Sequence, residues 1–205
     1  MESTIYLVRH GKPDLPDEEM RFLGWTDLPL SAEGRRQAAS AARSLSRLAF
    51  DRVLHSGLRR ARETAEIIAV GRDAPFEELS ALREISFGEW ELRSIREFAR
   101  NDPELFAERG RDFAGFRPPG GESFIDLRDR VMPAFSELLE RESGDLLVVA
   151  HAGVIKTILF TLLDIPWQKL FSLRIDYCGI QIISRMDGYL AIERLNWTDG
   201  LEGWD

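Results

Sequence analysis

The sequence predicts an α/β domain, and three of its features indicate this class. Short apolar segments alternate with longer stretches of helical periodicity, as in repeated strand–helix units. Two of those segments, Ile5–Val8 and Leu146–Ala150, contain only apolar residues, as buried strands do. The length of 205 residues suits one domain with a sizeable core.

The first predicted strand, Ile5–Val8, ends in a polar pair. Arg9 and His10 follow it directly, and Gly11 allows a sharp turn or the close approach of a ligand. Ligands of α/β sheets bind beyond the carboxyl ends of the strands. Two interpretations are therefore open: a nucleophilic histidine beside an anion-binding arginine, or a satisfied polar pair at the end of a strand.

A helix is predicted to follow Ser31, a good N-cap residue with Glu33 in the first turn. Gly34 lies in the same turn and costs about 1 kcal/mol relative to alanine. Close packing against a neighbouring segment would explain its presence. The apolar stripe of this helix comprises Ala38, Ala41, Ala42, Leu45 and Leu48.

A second short strand is predicted over residues 51–55, and residues 56–65 open the next helix. A helix N-terminus directly after a strand is a ready anion site. Arg59, Arg60 and Arg62 lie in its first turns. Either one or two of them point at the same pocket as Arg9, or all three are solvated; for Arg59 and Arg62 the solvated state is favoured. The core-facing positions are Leu58, Ala61, Ala65 and Ile68.

The middle of the chain predicts a cap over the sheet. Residues 76–79 are expected to form a strand and residues 82–91 an ordered loop. Residues 93–117 turn polar, contain short helical patches, and end at the Pro-Pro-Gly-Gly of residues 118–121. We expect a single domain over residues 1–205, with a cap insertion at about 93–119 where substrate selection would occur.

The last third predicts a long helix, a strand, a helix and a hairpin. Ser123 and Asp126 suggest a capping box, and Pro133 predicts a kink or a break in that helix. The strand over residues 146–150 leads to a helix over about 154–163. Residues 177–184 and 189–195 are expected to pair around the Asp-Gly turn signal at 187–188, and residues 198–205 to fray.

Composition limits the function classes. The net charge of −8 gives no reason to expect a nucleic-acid partner or an anionic membrane surface, so any anion-binding charge must be local. Cys178 is the only cysteine, so no intrachain disulfide can form, which fits a reducing compartment. No signal peptide or membrane span is recognised, and a cytoplasmic location is expected.

The second apolar strand, like the first, is followed by a histidine and a glycine. His151, Ala152 and Gly153 come directly after residues 146–150. If the two strands are parallel neighbours, two of the three histidines meet at one edge of the sheet. A neutral imidazole is a competent nucleophile near neutral pH. A second histidine and two arginines would stabilise the oxygens of a transferring phosphoryl group.

These residues belong to an ordered set of landmarks that resembles the histidine phosphatase superfamily, also called the phosphoglycerate mutase-like family. The set runs from about residue 7 to residue 153, and the order makes coincidence very unlikely. The landmarks are Leu7–Gly11; Leu30-Ser31 with Gly34 and Gln37-Ala38; Ser56, Leu58, Arg60-Ala61 and Thr64-Ala65; Glu84 with Phe87-Gly88 and Trp90-Glu91; Gly120–Ser123; and Val148–Gly153.

The resemblance implies an open, mostly parallel sheet with helices on both faces, in three layers, and a phosphatase that needs no metal or cofactor. His10 would be phosphorylated, while Arg9, Arg60 and His151 hold the phosphoryl group. Glu84 would protonate the leaving oxygen and then activate water. The expected partner is a small phosphomonoester, with a homodimer as the assembly. Further substrate contacts are assigned to Gly11, Lys12, Gly24, Thr26 and Ala152.

Departures from the family pattern favour one branch. Lys12 and Pro13 stand where an acidic residue or glutamine and a hydroxyl residue are usual. Phe87 and Gly153 differ from the tyrosine and asparagine of the mutases, and the cap is short for a mutase. Paired cap arginines have no clear counterpart. A phosphatase is therefore favoured over a phosphoglycerate mutase, and segments around residues 84–91, 120–124 and 171–178 are similar to the α-ribazole phosphatases of cobalamin biosynthesis.

Two other functions are compatible with parts of this pattern. A noncatalytic phosphate sensor would keep the pocket, but the intact set of His10, Arg60, Glu84 and His151 argues against it. A metal hydrolase would use His10, His55 and His151, but their spacing offers no local ligand pair. His55 is interpreted as a pocket-wall or structural residue. Trp25 and Trp90 either stack on a substrate ring or pack in the core or rim.

Overall fold

The computed structural model describes residues 3–198, which form six strands and six α-helices. The strands are β1 (Ser3–Arg9), β2 (Arg52–His55), β3 (Phe76–Glu78), β4 (Leu146–Ala150), β5 (Ile180–Met186) and β6 (Tyr189–Trp197). The helices are α1 (Ala32–Ser44), α2 (Arg59–Ala69), α3 (Ile95–Asn101), α4 (Pro103–Arg111), α5 (Phe124–Arg141) and α6 (Ala152–Leu162).

The sheet has the strand order β3-β2-β4-β1-β5-β6. The first four strands in this order are parallel, while β5 and β6 are antiparallel additions at one edge. Both central strands, β1 and β4, are buried, and β4 is buried along its whole length. The predicted mostly parallel sheet is confirmed.

Alternation along β1 explains the three layers. Ile5 and Leu7 join a core cluster with the apolar stripes of α5 and α6, whereas Tyr6 and Val8 join a second cluster with α1 and α2. Successive side chains of a strand point to opposite faces, so one strand supplies both cores. The predicted helices on both faces are therefore confirmed.

The register of the central strands sets the position of the site. β1 pairs with β4 so that Arg9 lies opposite Ala150. The residues that follow, His10 and His151, therefore leave the sheet at the same level. β2 flanks β4 on its other side and brings Ser56 to the same edge.

Several local predictions hold for the expected reasons. Ser31 Oγ accepts a hydrogen bond from the Gly34 N–H, and Ser123 and Asp126 form the capping box. The turn between β5 and β6 has φ of 50° at Asp187 and 85° at Gly188, the positive values that a two-residue hairpin turn requires.

Some predicted boundaries are wrong. Of the kink or break predicted at Pro133, the break does not occur, because α5 continues through it while Val131 and Phe135 on either side stay buried in the core. α1 ends at Ser44, before Leu45 and Leu48, although Leu45 is still buried. α2 begins at Arg59 rather than at residue 56.

The C-terminal predictions need similar adjustment. β5 begins at Ile180 rather than at residue 177, since Cys178 has a φ of 57° that interrupts extended backbone.

In the middle of the chain, the predicted loop at residues 82–91 is ordered and includes a 3-10 turn at Gly88–Trp90. Of the tail predicted to fray, residues 199–205 lie outside the described residues.

The expected cap region contains α3 and α4. Phe98 from α3 packs with Phe22 and Trp90 in a small aromatic cluster of their own, with ring centroids 4.3–5.6 Å apart. Trp90 is thus a core residue and not a platform for substrate. Over residues 3–198, no helix has the length and apolar character that crossing a membrane requires.

Candidate active site

His10 lies at the C-terminal end of β1 and is 4% exposed. Its Nδ1 lies 2.7 Å from the backbone carbonyl oxygen of Gly11. A carbonyl only accepts hydrogen bonds, so this contact places the proton of a neutral imidazole on Nδ1. Nε2 then carries the lone pair, which is the arrangement a nucleophile needs.

His151 faces His10 from the end of β4. The two ring centroids are 5.0 Å apart, with an angle of 56° between the rings. Ser56 Oγ lies 2.7 Å from Nε2 of His151, while the buried Nδ1 has no partner among the described residues. A buried, unpaired ring nitrogen in a polar site is a natural contact for a ligand.

Two arginines bring positive charge to the same place. Arg60 is fully buried, and its guanidinium donates to the carbonyl oxygens of Thr26 at 2.9 Å and Gly24 at 2.6 Å. Arg9 donates to the carbonyl of Ile175 at 2.7 Å, and its guanidinium carbon lies 3.8 Å from the ring centroid of Tyr177. Within residues 3–198, neither arginine has a carboxylate at ion-pair distance, so both charges remain available to an anion.

Glu84 supplies a carboxyl group that is 8% exposed. Its Oε1 accepts from the Ile85 N–H at 2.9 Å and its Oε2 from the Gly153 N–H at 3.1 Å. Gly153 lies two residues after His151, so Glu84 is tied directly to the histidine's own helix. Within residues 3–198, Glu84 forms no ion pair with the neighbouring Arg83, which pairs with Glu78 instead.

The electrostatics of these groups follow from burial. Desolvation lowers the pKa of both His10 and His151 well below the ordinary value, and the charge of Arg60 lowers it further. Desolvation raises the pKa of Glu84, against the opposing effect of its two backbone hydrogen bonds. The site therefore favours neutral histidines and a carboxylic acid.

The five residues predicted to contact substrate make different contacts with the protein. The Gly11 N–H donates to Thr64 Oγ1 at 3.0 Å. Lys12 Nζ contacts Glu18 and Glu33 at 2.7 and 2.9 Å, so its charge is compensated at the edge of the cavity. Gly24 and Thr26 present their carbonyls to Arg60, and Ala152 begins α6. As seen here, Gly24 and Thr26 shape the arginine's surroundings.

The close packing expected at Gly34 is present. A Cβ atom on Gly11 would lie 2.5 Å from the Gly34 carbonyl oxygen, and one on Gly34 would lie 2.1 Å from the Lys12 carbonyl oxygen. The start of α1 therefore packs directly against the backbone that follows His10.

A cavity of about 480 Å³ opens above these groups, with Arg9, His10 and Glu84 among its lining residues. The remaining lining residues are Lys12, Leu15, Asp17, Glu18, Glu19, Met20, Arg21, Leu23, Glu33, Ile95 and Tyr177. Ile95 begins α3, which lies within the range expected to form a cap insertion.

His55 does not join the other two histidines. Its Nδ1 accepts from the Gly57 N–H at 3.0 Å, and its ring lies 4.8 Å from that of Phe76. These contacts are those of a structural residue, one of the two interpretations that the sequence left open. Across the described part of the chain, no group of three His, Cys, Asp or Glu side chains is arranged to hold a metal ion.

Four residues near the site were not identified from the sequence as functional: Ser56, Tyr177, Arg130 and Glu91. Ser56 is a family landmark whose partner, His151, is distant along the chain. Arg130 lies on α5 and pairs with Glu122 at 2.8 Å while donating to the carbonyl of Glu84 at 3.2 Å. Only the folded chain brings these contacts together.

Comparison with known proteins gives a consistent result. The family model of the histidine phosphatase superfamily (branch 1) matches residues 5–198. The adenosylcobalamin/alpha-ribazole phosphatase of Salmonella typhimurium is 33% identical over 193 residues, covering 94% of this chain and 95% of the relative. A probable phosphoglycerate mutase GpmB of Salmonella choleraesuis is 34% identical, over 89% of this chain and 84% of the relative.

Solved structures agree with the sequence relatives. A putative alpha-ribazole-5'-P phosphatase from Escherichia coli K-12 superposes with a TM-score of 0.88 at 28% identity, covering 97% of this chain and 98% of that one. The mycobacterial glucosyl-3-phosphoglycerate phosphatase has a TM-score of 0.83 at 25% identity, over 96% and 99% of the two chains. With its fold, its facing histidines and its matched length, the chain belongs to the histidine phosphatase superfamily, branch 1, and is an enzyme of the phosphatase type.

Proposed function

We propose that this enzyme hydrolyses a small phosphomonoester through a phosphohistidine at His10. One observation carries the proposal: the Gly11 carbonyl engages Nδ1, which leaves Nε2 free in a pocket with two uncompensated arginines. An unprotonated ring nitrogen beside fixed cations is suited to attack phosphorus.

The reaction then has two balanced steps. Nε2 of His10 forms a bond to phosphorus while the ester P–O bond breaks, and the leaving oxygen takes the proton of Glu84. In the second step a water oxygen bonds to phosphorus, the N–P bond breaks, and Glu84 takes a proton from that water. The raised pKa of Glu84 suits the acid role in the first step.

Arg9, Arg60 and His151 would bind the phosphoryl oxygens throughout. The phosphoryl dianion meets two guanidinium cations, whose charge is permanent. The unpaired Nδ1 of His151 offers a further hydrogen bond. These donors are already in place before substrate arrives, which is how electrostatic stabilisation of a transition state is most effective.

The cavity wall favours a phosphatase over a mutase. Outside the phosphoryl site, the lining cations are Lys12 and Arg21. Lys12 is paired with Glu18 and Glu33, and Arg21 with Asp17. Outside the phosphoryl site, the lining therefore contains no unpaired Lys or Arg side chain that could bind the carboxylate or the second phosphate of a phosphoglycerate.

We propose α-ribazole 5'-phosphate as the substrate, because the alpha-ribazole phosphatases are similar over nearly the whole chain. Beyond its phosphate this molecule is a nucleoside without a second anionic group, which suits the compensated charges of the wall. The cavity volume of about 480 Å³ leaves room for such a leaving group. A phosphoglycerate mutase, named by the second group of relatives, is the alternative.

Rapid acid-free quenching with substrate should trap an acid-labile, alkali-stable phosphate on His10, located by peptide mass spectrometry. The His10→Gln variant should form none. A panel of α-ribazole phosphate, 3-phosphoglycerate, sugar phosphates and nucleotides, beside a mutase assay, tests the substrate. Phosphate release without phosphohistidine would overturn the mechanism, and phosphoglycerate interconversion would favour the mutase.

The location and assembly stay predictions. Cys178 is buried and unpaired, which fits the proposed cytoplasmic location. Light scattering in solution tests the expected homodimer, and a filter-binding assay tests the expected lack of a nucleic-acid partner.

A further inference from the structure

Glu91 gathers an unusual number of donors around one carboxylate. Its Oε2 accepts from the Gly24 N–H at 3.1 Å, the Thr26 N–H at 3.2 Å and the Thr26 hydroxyl at 2.8 Å. Its Oε1 accepts from the Trp25 N–H at 2.8 Å and the Phe87 N–H at 3.1 Å. Three consecutive backbone N–H groups therefore converge on a single side chain, as in an anion-binding nest.

The other side of the same loop supports the catalytic groups. The carbonyl oxygens of Gly24 and Thr26 receive the two hydrogen bonds that hold the buried guanidinium of Arg60. Between them, the Trp25 indole N–H donates to the carbonyl oxygen of Glu84 at 2.7 Å. The 24–26 loop thus lies between Glu91 on one side and Arg60 and Glu84 on the other.

Space at the loop is as restricted as its hydrogen bonding. A Cβ atom on Gly24 would lie 2.4 Å from Oε1 of Glu91 and 2.1 Å from the Ile85 carbonyl oxygen. The loop can approach the Glu91 carboxylate this closely only because residue 24 has no side chain. A side chain at position 24 would therefore push the loop away from Glu91.

We propose that Glu91 is a positioning residue for the phosphoryl site, whose carboxylate fixes the 24–26 loop and through it the guanidinium of Arg60. The inference rests on the proposed function, because it concerns the same reaction. Arg60 has no acidic partner of its own at ion-pair distance in the described residues, so its orientation depends on two loop carbonyls. Glu91 holds those carbonyls in place without touching substrate.

The Glu91→Gln variant tests this directly. In the unaltered protein both carboxylate oxygens accept hydrogen bonds from N–H donors. The amide of the variant keeps one acceptor oxygen, but its NH₂ group faces the other N–H donors and cannot accept from them. We expect kcat/KM to fall by roughly 10–100-fold, since displacement of a binding group by about 1 Å costs on the order of 10²-fold. The inhibition constant of orthovanadate should rise by a similar factor, because vanadate mimics the transition state.

The control is Glu89→Gln, the same chemical change at an exposed position two residues away. It should leave both measurements unchanged. Thermal unfolding is followed in parallel, because a purely structural role for Glu91 would lower the melting temperature while leaving the activity per folded molecule intact. That outcome would overturn the proposal.

A double-mutant cycle gives the decisive readout. If Glu91 acts through Arg60, Glu91→Gln should cost little further activity in an Arg60→Ala background. An equal loss in both backgrounds would refute the coupling. Should Glu91→Gln fail to fold, Thr26→Val removes one of the five donors, and its few-fold loss should likewise vanish in that background.

Failure of this inference and failure of the proposed function are distinguishable. Absence of phosphohistidine in the unaltered enzyme would remove the function itself. A phosphohistidine that forms normally in both the unaltered enzyme and Glu91→Gln would remove only the role of Glu91.

Discussion

Glu84 and Gly153 meet through a hydrogen bond of 3.1 Å, and a Cβ atom on Gly153 would lie 2.3 Å from Oε1 of Glu84. The absence of a side chain at position 153 therefore lets the proposed acid reach the helix that His151 opens. From the sequence, Gly153 is the last residue of a family landmark and a departure from the mutase pattern, and neither feature indicates its contact with Glu84.

Gly153→Ala should displace the Glu84 carboxyl group and lower kcat on an alkyl phosphate by roughly 10²-fold, the lower range for loss of a general acid. Steady-state kinetics and thermal unfolding are measured together. Gly110→Ala is the matched control, because its Cβ would meet nothing within 4 Å. Full activity in Gly153→Ala would show that the position of Glu84 is not critical.

Removal of the acid should depend on the leaving group. Glu84→Gln should slow phosphorylation of His10 by roughly 10²–10⁴-fold with alkyl phosphates, which need a proton on the leaving oxygen. With p-nitrophenyl phosphate, whose leaving group needs no proton, a burst of nitrophenol should precede a slow phase, because dephosphorylation lacks its base. Equal losses with both substrates would contradict the role of Glu84 as acid.

The pH profile of kcat/KM should reflect the two opposite pKa shifts. The active form has His10 neutral and Glu84 protonated. Burial lowers the pKa of His10, so activity should persist as pH falls through 6.5; burial raises the pKa of Glu84, so the basic limb should lie above that acid's ordinary value of 4.5. The ratio of unaltered enzyme to Glu84→Gln, taken on one substrate, cancels the substrate's own ionisation. A ratio that does not fall on the basic side would contradict the assignment.

Ser56 should orient His151. Ser56→Ala removes the partner of a fully buried Nε2, which costs about 1–3 kcal/mol for an unsatisfied polar group. We expect roughly a 10-fold or greater loss of kcat, because the ring loses its fixed orientation. Nitrogen NMR of the histidine rings reports the tautomer, and Ser44→Ala, at a buried serine in α1, serves as control. An unchanged His151 spectrum in Ser56→Ala would refute this role.

The sequence was most informative where local pattern and tertiary position coincide. Two apolar segments each followed by a histidine predicted that His10 and His151 meet if the strands are parallel neighbours, because such strands end at one edge of a sheet. The ends of α1, α2 and β5 were less predictable, since apolar residues such as Leu45 stay in the core after the helix has ended. Pro133 shows the same limit, because burial of the surrounding stripe outweighs a lost hydrogen bond.

The supporting residues were the least predictable. The distance from Glu91 to its loop partners is 65–67 residues along the chain, and from Ser56 to His151 it is 95. No periodicity reports contacts at such separations. Lys12 lines the cavity, as a substrate contact requires, but the two carboxylates that hold its ammonium group could not be predicted from its place beside His10 in the sequence.

Gly34 provides a final prediction, in which helix propensity and packing oppose each other. In an exposed helix interior, alanine is more favourable than glycine by about 1 kcal/mol. At position 34, however, its Cβ would lie 2.1 Å from the carbonyl oxygen of Lys12, and backbone atoms cannot rotate away as a flexible side chain can. Overpacking of this kind costs about 1–3 kcal/mol, so Gly34→Ala should destabilise the protein.

Urea denaturation of Gly34→Ala should give a reduced free energy of unfolding, while Gly110→Ala should be neutral or stabilised. The displaced backbone is also the segment whose Gly11 carbonyl engages Nδ1 of His10. Activity per folded molecule should therefore fall together with stability. A higher free energy of unfolding for Gly34→Ala would show that the segment after His10 moves aside without strain. Unchanged phosphohistidine formation would show that the packing of α1 does not affect the orientation of His10.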